Sequence, residues 1–457
     1  MAFPESMTPL ELRASMGLAS IFGLRMLGMF VILPVFALYA ESLPGGTSHT
    51  LVGIALGAYG LTQAILQIPL GWLSDRFGRK PVIYVGLILF ALGSFVAASA
   101  HDIYIIIGGR VLQGSGAISA AVIAMTADLT REEHRTKAMA LIGSTIGFSF
   151  ALSLVAGPVL FHLIGVPGIF AMTGVLALSA IVVVYAIIPN PLHGYSSASD
   201  SQSGRLLPVL RDGQLMRLNF GIFSLHAALM ALFIVVPFAL RDAGLSIDRH
   251  WLMYLPVMLG SFLLLLPAIL FAEKKARLKQ VFCAAVVLML ATQLLLPWLL
   301  ATLWEIFVAL LAFFTAFNIL EAMLPSLISK FAPPGAKGTA IGVYSSVQFF
   351  GAFVGAAVSG YLSQHYGTKA VFAFGVMLLA FWLIPALTMK VPVAVETKIY
   401  PIPEMDSRRA NGLSRQLASV PGVLEALVIA AEGVAYLKVD SSGFDEQNVI
   451  RLIAGEA

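Results

Sequence analysis

The sequence predicts an all-α polytopic membrane protein: twelve transmembrane helices in two six-helix halves, followed by a small soluble α+β domain. Three observations carry that prediction. Hydrophobic residues fill 59% of the 457 positions and the mean hydropathy is +0.90, well above the roughly 45–50% apolar content of soluble domains. The apolar residues fall in repeated blocks of about 20, the length at which a helix crosses a hydrocarbon core of about 30 Å. Lysine and arginine gather in alternate loops, as they do on the cytoplasmic side of membrane proteins.

The first half supplies spanning blocks at about 14–40, 50–72, 81–99, 103–127, 138–163 and 167–188. The second supplies about 217–240, 250–272, 280–300, 303–328, 338–363 and 368–389. Between them, 190–213 opens N-P-L-H-G-Y-S-S-A-S-D-S-Q-S-G-R, the composition of a flexible linker. The expected organisation is a six-helix bundle over 1–189, a cytoplasmic linker over 190–213, a second bundle over 214–390 and a cytoplasmic domain over 391–457.

Fifteen Lys and Arg, from Arg76 to Lys337, fall in loops on one side, against Arg241, Arg249 and Lys369 on the other. That bias places both termini and the linker in the cytoplasm. It also explains the net charge of +4 without nucleic acid. The first apolar block carries Arg25 and is followed by no small-residue cleavage site, so it reads as a span rather than a signal peptide. The single cysteine, Cys283, excludes an intrachain disulfide and a thiolate metal site.

The halves pair as repeats. A shift of 198 positions matches Pro69 with Pro267, Asp75 with Glu273, Arg76 with Lys274 and Arg79 with Arg277. A shift of 202 matches Arg135 with Lys337, Ala138 with Ala340 and Gly165 with Gly367. Duplicated six-helix halves indicate a transporter with its substrate path between them. Beyond about 390, charges spread evenly, and the pattern reads strand (396–402), helix (407–419), strand (423–431), strand (434–440) and helix (445–454). This is a ferredoxin-like order.

Charge is densest at Gly71 to Lys80, G-W-L-S-D-R-F-G-R-K, between the second and third blocks. Gly71 and Gly78 permit close helix approach and a backbone conformation with positive φ. Ionisable groups inside spans are costly and mark function. Arg25, Arg110, His226 and Glu321 are the candidates for proton or substrate handling. His226 lies nine positions after Arg217 and Glu321 nine before Lys330. Both therefore sit about 14 Å from the basic ends of their helices, at matched depth. Arg110 has no acid in its own span, and Arg25 is expected to face a cavity. Tyr59, Phe233, Tyr254, Phe317, Tyr344 and Phe349 are expected chiefly to pack.

The loop G-x-L-x-D-R-x-G-R-K resembles the motif A signature of the major facilitator superfamily. Three more stretches support the resemblance: Arg110 to Ala117 (R-V-L-Q-G-S-G-A), Asp128 to Arg135 (D-L-T-R-E-E-H-R), and Gly157-Pro158, similar to the core of the antiporter motif. Leu160 departs from that last pattern. The resemblance covers about 10–390 and is nearest the twelve-helix drug:proton antiporter branch. The tail is similar to a heavy-metal-associated fold but lacks its C-x-x-C, so no metal site carries over.

What the resemblance implies is a proton-coupled secondary transporter of a bacterial-type inner membrane, an antiporter moving a small molecule by alternating access. Its energy comes from the proton gradient, with no cofactor. Asp75, with Gly71, Arg76, Gly78, Arg79, Lys80 and Asp128, would form a conformational latch toward a helix N-terminus in the other half. The alternative is a ligand sensor or facilitator on the same fold, with a regulatory tail. The tail's expected partners are a cytoplasmic ligand or the tail of a second chain. No G-x-x-x-x-G-K-[ST] loop points to ATP, and eight scattered histidines do not suggest an enzyme.

Overall fold

The computed structural model describes residues 7–190, 202–274, 277–332, 337–390, 395–403, 406–430, 433–440 and 443–454. The chain divides into two compact units, Met1–Met389 and Lys390–Ala457. Among the described residues, eleven helical stretches are long and apolar enough to cross a membrane. One of them counts twice, so the expected twelve spans are present.

The first span is broken. Helix α1 (Pro9–Phe30) starts on a capping box formed by Thr8 and Glu11, and α2 (Leu33–Ala40) resumes with Pro34 in its first turn. Helix α3 (His49–Phe77) ends at Gly78, whose φ of 100° and ψ of 152° suit glycine alone, and α4 (Arg79–Ala98) follows at once. The fourth span is also broken, into α5 (Ile103–Ser115) and α6 (Ser119–Asp128). Helix α7 (Glu132–Ala186) has 55 residues, about twice what one crossing needs, and leaves helical geometry at Gly165 (φ 65°, ψ 175°). Its two limbs are the fifth and sixth spans.

The linker expected at 190–213 lies partly outside the described residues, and its later part forms helix α8 (Gln202–Arg211). The second bundle comprises α9 (Gly213–Asp242), α10 (Trp251–Lys274), α11 (Leu278–Leu295), α12 (Leu303–Phe331), α13 (Lys337–Tyr366) and α14 (Thr368–Leu387). The repeat partners expected near 273–277 fall largely outside the described side chains.

The face that carries the lysine- and arginine-rich loops is called the basic face here, and the opposite one the outer face. On the basic face, Arg131 clamps Glu11 (Nε to Oε1, 2.9 Å), Lys80 Nζ donates to Ile188 O (2.6 Å), and Arg217 Nη1 donates to Thr388 O (2.5 Å). Each bond ties helix ends within one bundle. The bundles meet along α3 and α13. A Cβ on Gly53 would lie 2.2 Å from Ala356 O, and one on Gly60 2.7 Å from Phe349 O. Only bare backbone fits at that seam.

The second unit has strands β1 (Val395–Pro401), β2 (Val423–Ile429) and β3 (Val434–Asp440), with helices α15 (Ser407–Ala418) and α16 (Glu446–Ala454). Its antiparallel sheet runs β1-β3-β2, the order that a ferredoxin-like chain gives its first three strands. Leu417, Leu437, Val439 and Val449 are fully buried in its core. At one end, Glu446 accepts from Lys398 Nζ (2.9 Å) and Tyr400 Oη (2.7 Å), which hold its carboxyl below the usual range.

Candidate functional site

Helices α9, α12 and α13 bring three polar side chains together inside the second bundle. The Gln348 amide lies 2.9 Å from His226 Nε2 and donates to Glu321 Oε1 at 3.3 Å. His226 Nε2 is 3.9 Å from Glu321 Oε2, which accepts no hydrogen bond from any described residue. As the Gln348 amide is oriented, His226 presents its Nε2 lone pair to a donor, the tautomer in which Nδ1 carries the hydrogen. One turn before Glu321, Phe317 packs on the imidazole (5.8 Å between ring centres). One turn before Gln348, the Tyr344 hydroxyl is buried and unbonded. The His226 side chain is 4% exposed and that of Glu321 22%, so the carboxyl is the more open end of the cluster.

The first bundle holds two guanidiniums of a different kind. Arg25, on α1, donates to Gln63 Oε1 on α3 and to Ser119 Oγ on α6 (3.0 Å). Its Nε has no described partner, and the residue lines a void of about 10 Å³, roughly the space for one water. Arg110, on α5, donates to the backbone carbonyls of Ala55 (3.4 Å) and Leu56 (3.3 Å) and to Gln113 Oε1 (3.0 Å). Both cations flank Tyr59, at 4.9 Å for Arg110 and 6.0 Å for Arg25. The glycines after Arg110 explain how it comes so near: a Cβ on Gly114 would lie 2.3 Å from Tyr59 O, and one on Gly116 2.2 Å from Gly86 O. No carboxylate among the described residues bonds to either guanidinium.

The Gly71 to Lys80 loop forms a compact charge cluster on the basic face. Arg79 bonds Asp75, Ser74 Oγ (2.8 Å) and Asp128 Oδ2 (3.0 Å). A Cβ on Gly71 would meet that of Ala120 at 3.1 Å, so α3 and α6 approach closely there. Arg76 is not in the cluster. It turns outward over the rings of Trp72 (5.7 Å) and Phe77 (5.5 Å). Lys80 points the other way, to the end of the sixth span. Gly157, ahead of Pro158, packs on the break in the first span, where a Cβ would lie 2.5 Å from Val31 O.

His226 and Glu321, placed at one depth by counting residues, therefore touch. Arg25 is buried among neutral polar groups instead of facing an open cavity. The six aromatics are all buried, as packing groups. Sequence reasoning missed Gln348, which joins the histidine to the acid, and Gln63, which holds Arg25. A scan for charge passes over neutral amides, although a glutamine within an apolar helix is itself the signal.

The sequence matches the Major Facilitator Superfamily over residues 18–273 and 220–435. It is 44% identical to the inner membrane transport protein YajR of Escherichia coli (strain K12), over 97% of this chain and 98% of that one. It is 28% identical to the multidrug resistance protein MdtH of Aeromonas salmonicida (strain A449), over 69% of this chain and 79% of the relative. In fold it is similar to a bacterial homolog of the human lysosomal transporter Spinster, solved in an inward-facing, unoccupied conformation. That likeness has a TM-score of 0.65 at 14% identity and covers 84% of this chain and 98% of that one. With its broken first and fourth spans, its glycine-spaced seam and its basic loop cluster, this multi-pass chain belongs to the major facilitator superfamily of membrane transporters.

Proposed function

We propose that this transporter is a proton-coupled exporter, moving a small molecule out of a bacterial cell in exchange for protons, with its basic face in the cytoplasm. The observation that carries the reading is the His226–Gln348–Glu321 cluster. A carboxyl in a bundle interior is retained against a solvation cost of several kcal/mol or more. Here one oxygen is held by a neutral amide and the other is free of described donors, so a proton can enter without breaking an ion pair to a fixed cation. Arg25 and Arg110 do the opposite. They stay charged and, among the described residues, bond only within the first bundle, so they set a constant field inside it. Two bundles that each bind their own helix ends and meet backbone to backbone along α3 and α13 support alternating access. The likeness to a multidrug resistance protein, MdtH, favours export as the direction, and the loop charges support the orientation. The energy source is the proton gradient, and the partners are lipid, protons and the substrate.

The test needs no substrate. Spin labels across the outer face of the full-length protein in lipid nanodiscs report how often that face is open. Between about pH 5 and about pH 8, the span over which such coupling groups work, the open fraction of the wild type should change. Glu321→Gln should hold the low-pH value throughout. Wild-type pH dependence in Glu321→Gln would overturn the proton role.

A further inference from the structure

The outer ends of the two bundles are clasped by a set of bonds separate from the charge cluster on the basic face. At the end of α2, Glu41 Oε2 accepts from Arg241 Nη1 at 2.6 Å, and Arg241 ends α9 in the other bundle. The same guanidinium sits 5.2 Å from the centre of the Phe238 ring, one turn back on α9. His49, the first residue of α3, stacks on that ring (5.4 Å between centres, planes 17° apart). Its Nδ1 lies 2.9 Å from Ser363 Oγ on α13. Beside it, Gln364 Oε1 accepts from Ser48 Oγ (2.8 Å) and from the Thr50 amide (3.0 Å). Every one of these bonds crosses from the first bundle to the second.

Resting on the alternating-access reading, we propose that Glu41, His49 and Arg241 are positioning residues of the transport cycle: they clasp the outer mouth shut, and Asp242 takes over Arg241 when it opens. The ion pair is half-exposed, at 45% for Arg241 and 39% for Glu41. It is therefore weak enough to break in each turnover. Arg241 does not open into isolation, because its Nε already lies 3.4 Å from Asp242 Oδ1 on its own helix. Opening exchanges a carboxylate across the seam for one beside it, so the cation keeps a partner in both states. The stack of His49 on Phe238 has no such substitute and closes the mouth by shape.

The experiment uses full-length protein in nanodiscs, with Cys283→Ser removing the one native thiol and spin labels at Ser42→Cys and Ser246→Cys, both exposed. The ratio of long to short distances gives the open-to-closed balance. Glu41→Gln and Arg241→Gln should each raise that ratio roughly two- to fivefold, and the double variant should raise it no further. Asp242→Asn should lower it. About 1 M salt, where screening acts within about 3 Å, should open the wild type but leave Glu41→Gln unmoved. His49→Ala, a milder surface change, should also open the mouth and serves if Arg241→Gln does not insert. Single variants with wild-type ratios, or single effects that multiply in the double, overturn the clasp. Opening by Asp242→Asn overturns the exchange. One immovable distance in every protein overturns alternating access itself, and the clasp with it.

Discussion

Arg79 is held by three acceptors from two helices, and this makes it the pivot of the basic-face cluster. Asp75 and Ser74 reach it from the end of α3, and Asp128 from the end of α6. Removing one acid leaves the cation satisfied by the other. Asp75→Asn should therefore cost at most about 1 kcal/mol of stability. Arg79→Ala leaves two carboxylates side by side without a cation and should cost about 2–3 kcal/mol. Thermal unfolding of the two purified variants checks the order, and equal losses would contradict it. Spacing alone made Arg76 and Arg79 equivalent. They separate only because Gly78 turns the backbone between them, leaving Arg76 on the end of α3 beside Trp72 and Phe77. A positive φ at one of the two glycines was legible, but which glycine takes it, and on which side each arginine falls, was not.

At the scale of elements, the seam between α3 and α13 decides how closely the bundles approach. Gly53, Gly57 and Gly60 recur every three or four residues and so lie along one stripe of α3. A Cβ on Gly57 would stand 3.0 Å from the Phe353 carbonyl oxygen and ring. Gly57→Val adds two further methyls there and has no room. We expect it to fold, since the bundles pack internally without this contact, but to hold the outer face apart. In the spin-label measurement the closed population should fall at least about tenfold, the effect of roughly 1.4 kcal/mol of overpacking. A closed population like that of the wild type would show that the seam tolerates bulk. Span positions were readable because bilayer thickness fixes helix length. The breaks in the first and fourth spans were not, because hydropathy is blind to a lost turn of helix. Nor was α8 legible, since a run of serine and glycine hides its start. The pairing of His226 with Glu321 was foreseeable as equal depth, but their contact depends on how α9, α12 and α13 pack.

For the molecule as a whole, the two units draw their stability from different sources. The membrane unit has a core running through both bundles, whereas the tail has one small sheet and two short helices. A domain of that size has little reserve. Leu437→Ala empties its centre at a cost of about 2–5 kcal/mol. In the full chain this should make residues beyond 390 sensitive to limited proteolysis while the unfolding temperature of the membrane unit stays put. A shift in that temperature would mean that the units depend on each other for stability. Both the βαββα order of the tail and the repeat of the bundles were visible in the sequence, as a change of period and a constant offset. The substrate was not, since one scaffold serves many cargoes and the specificity lies in side chains meeting from distant spans.

The turn at Gly165 joins the fifth and sixth spans through a single non-helical residue, and Gly367 does nearly the same for the last two. The other connections on the outer face are only 41–48, 99–102, 243–250 and 299–302. On the basic face lie α8, the charge cluster and the end of the last span. The membrane unit is thus lopsided in what its two faces offer to another protein. Among the described residues a regulatory protein, a modifying enzyme or a protease has little to grip on the outer side of the membrane unit, whose helices there turn back almost at once.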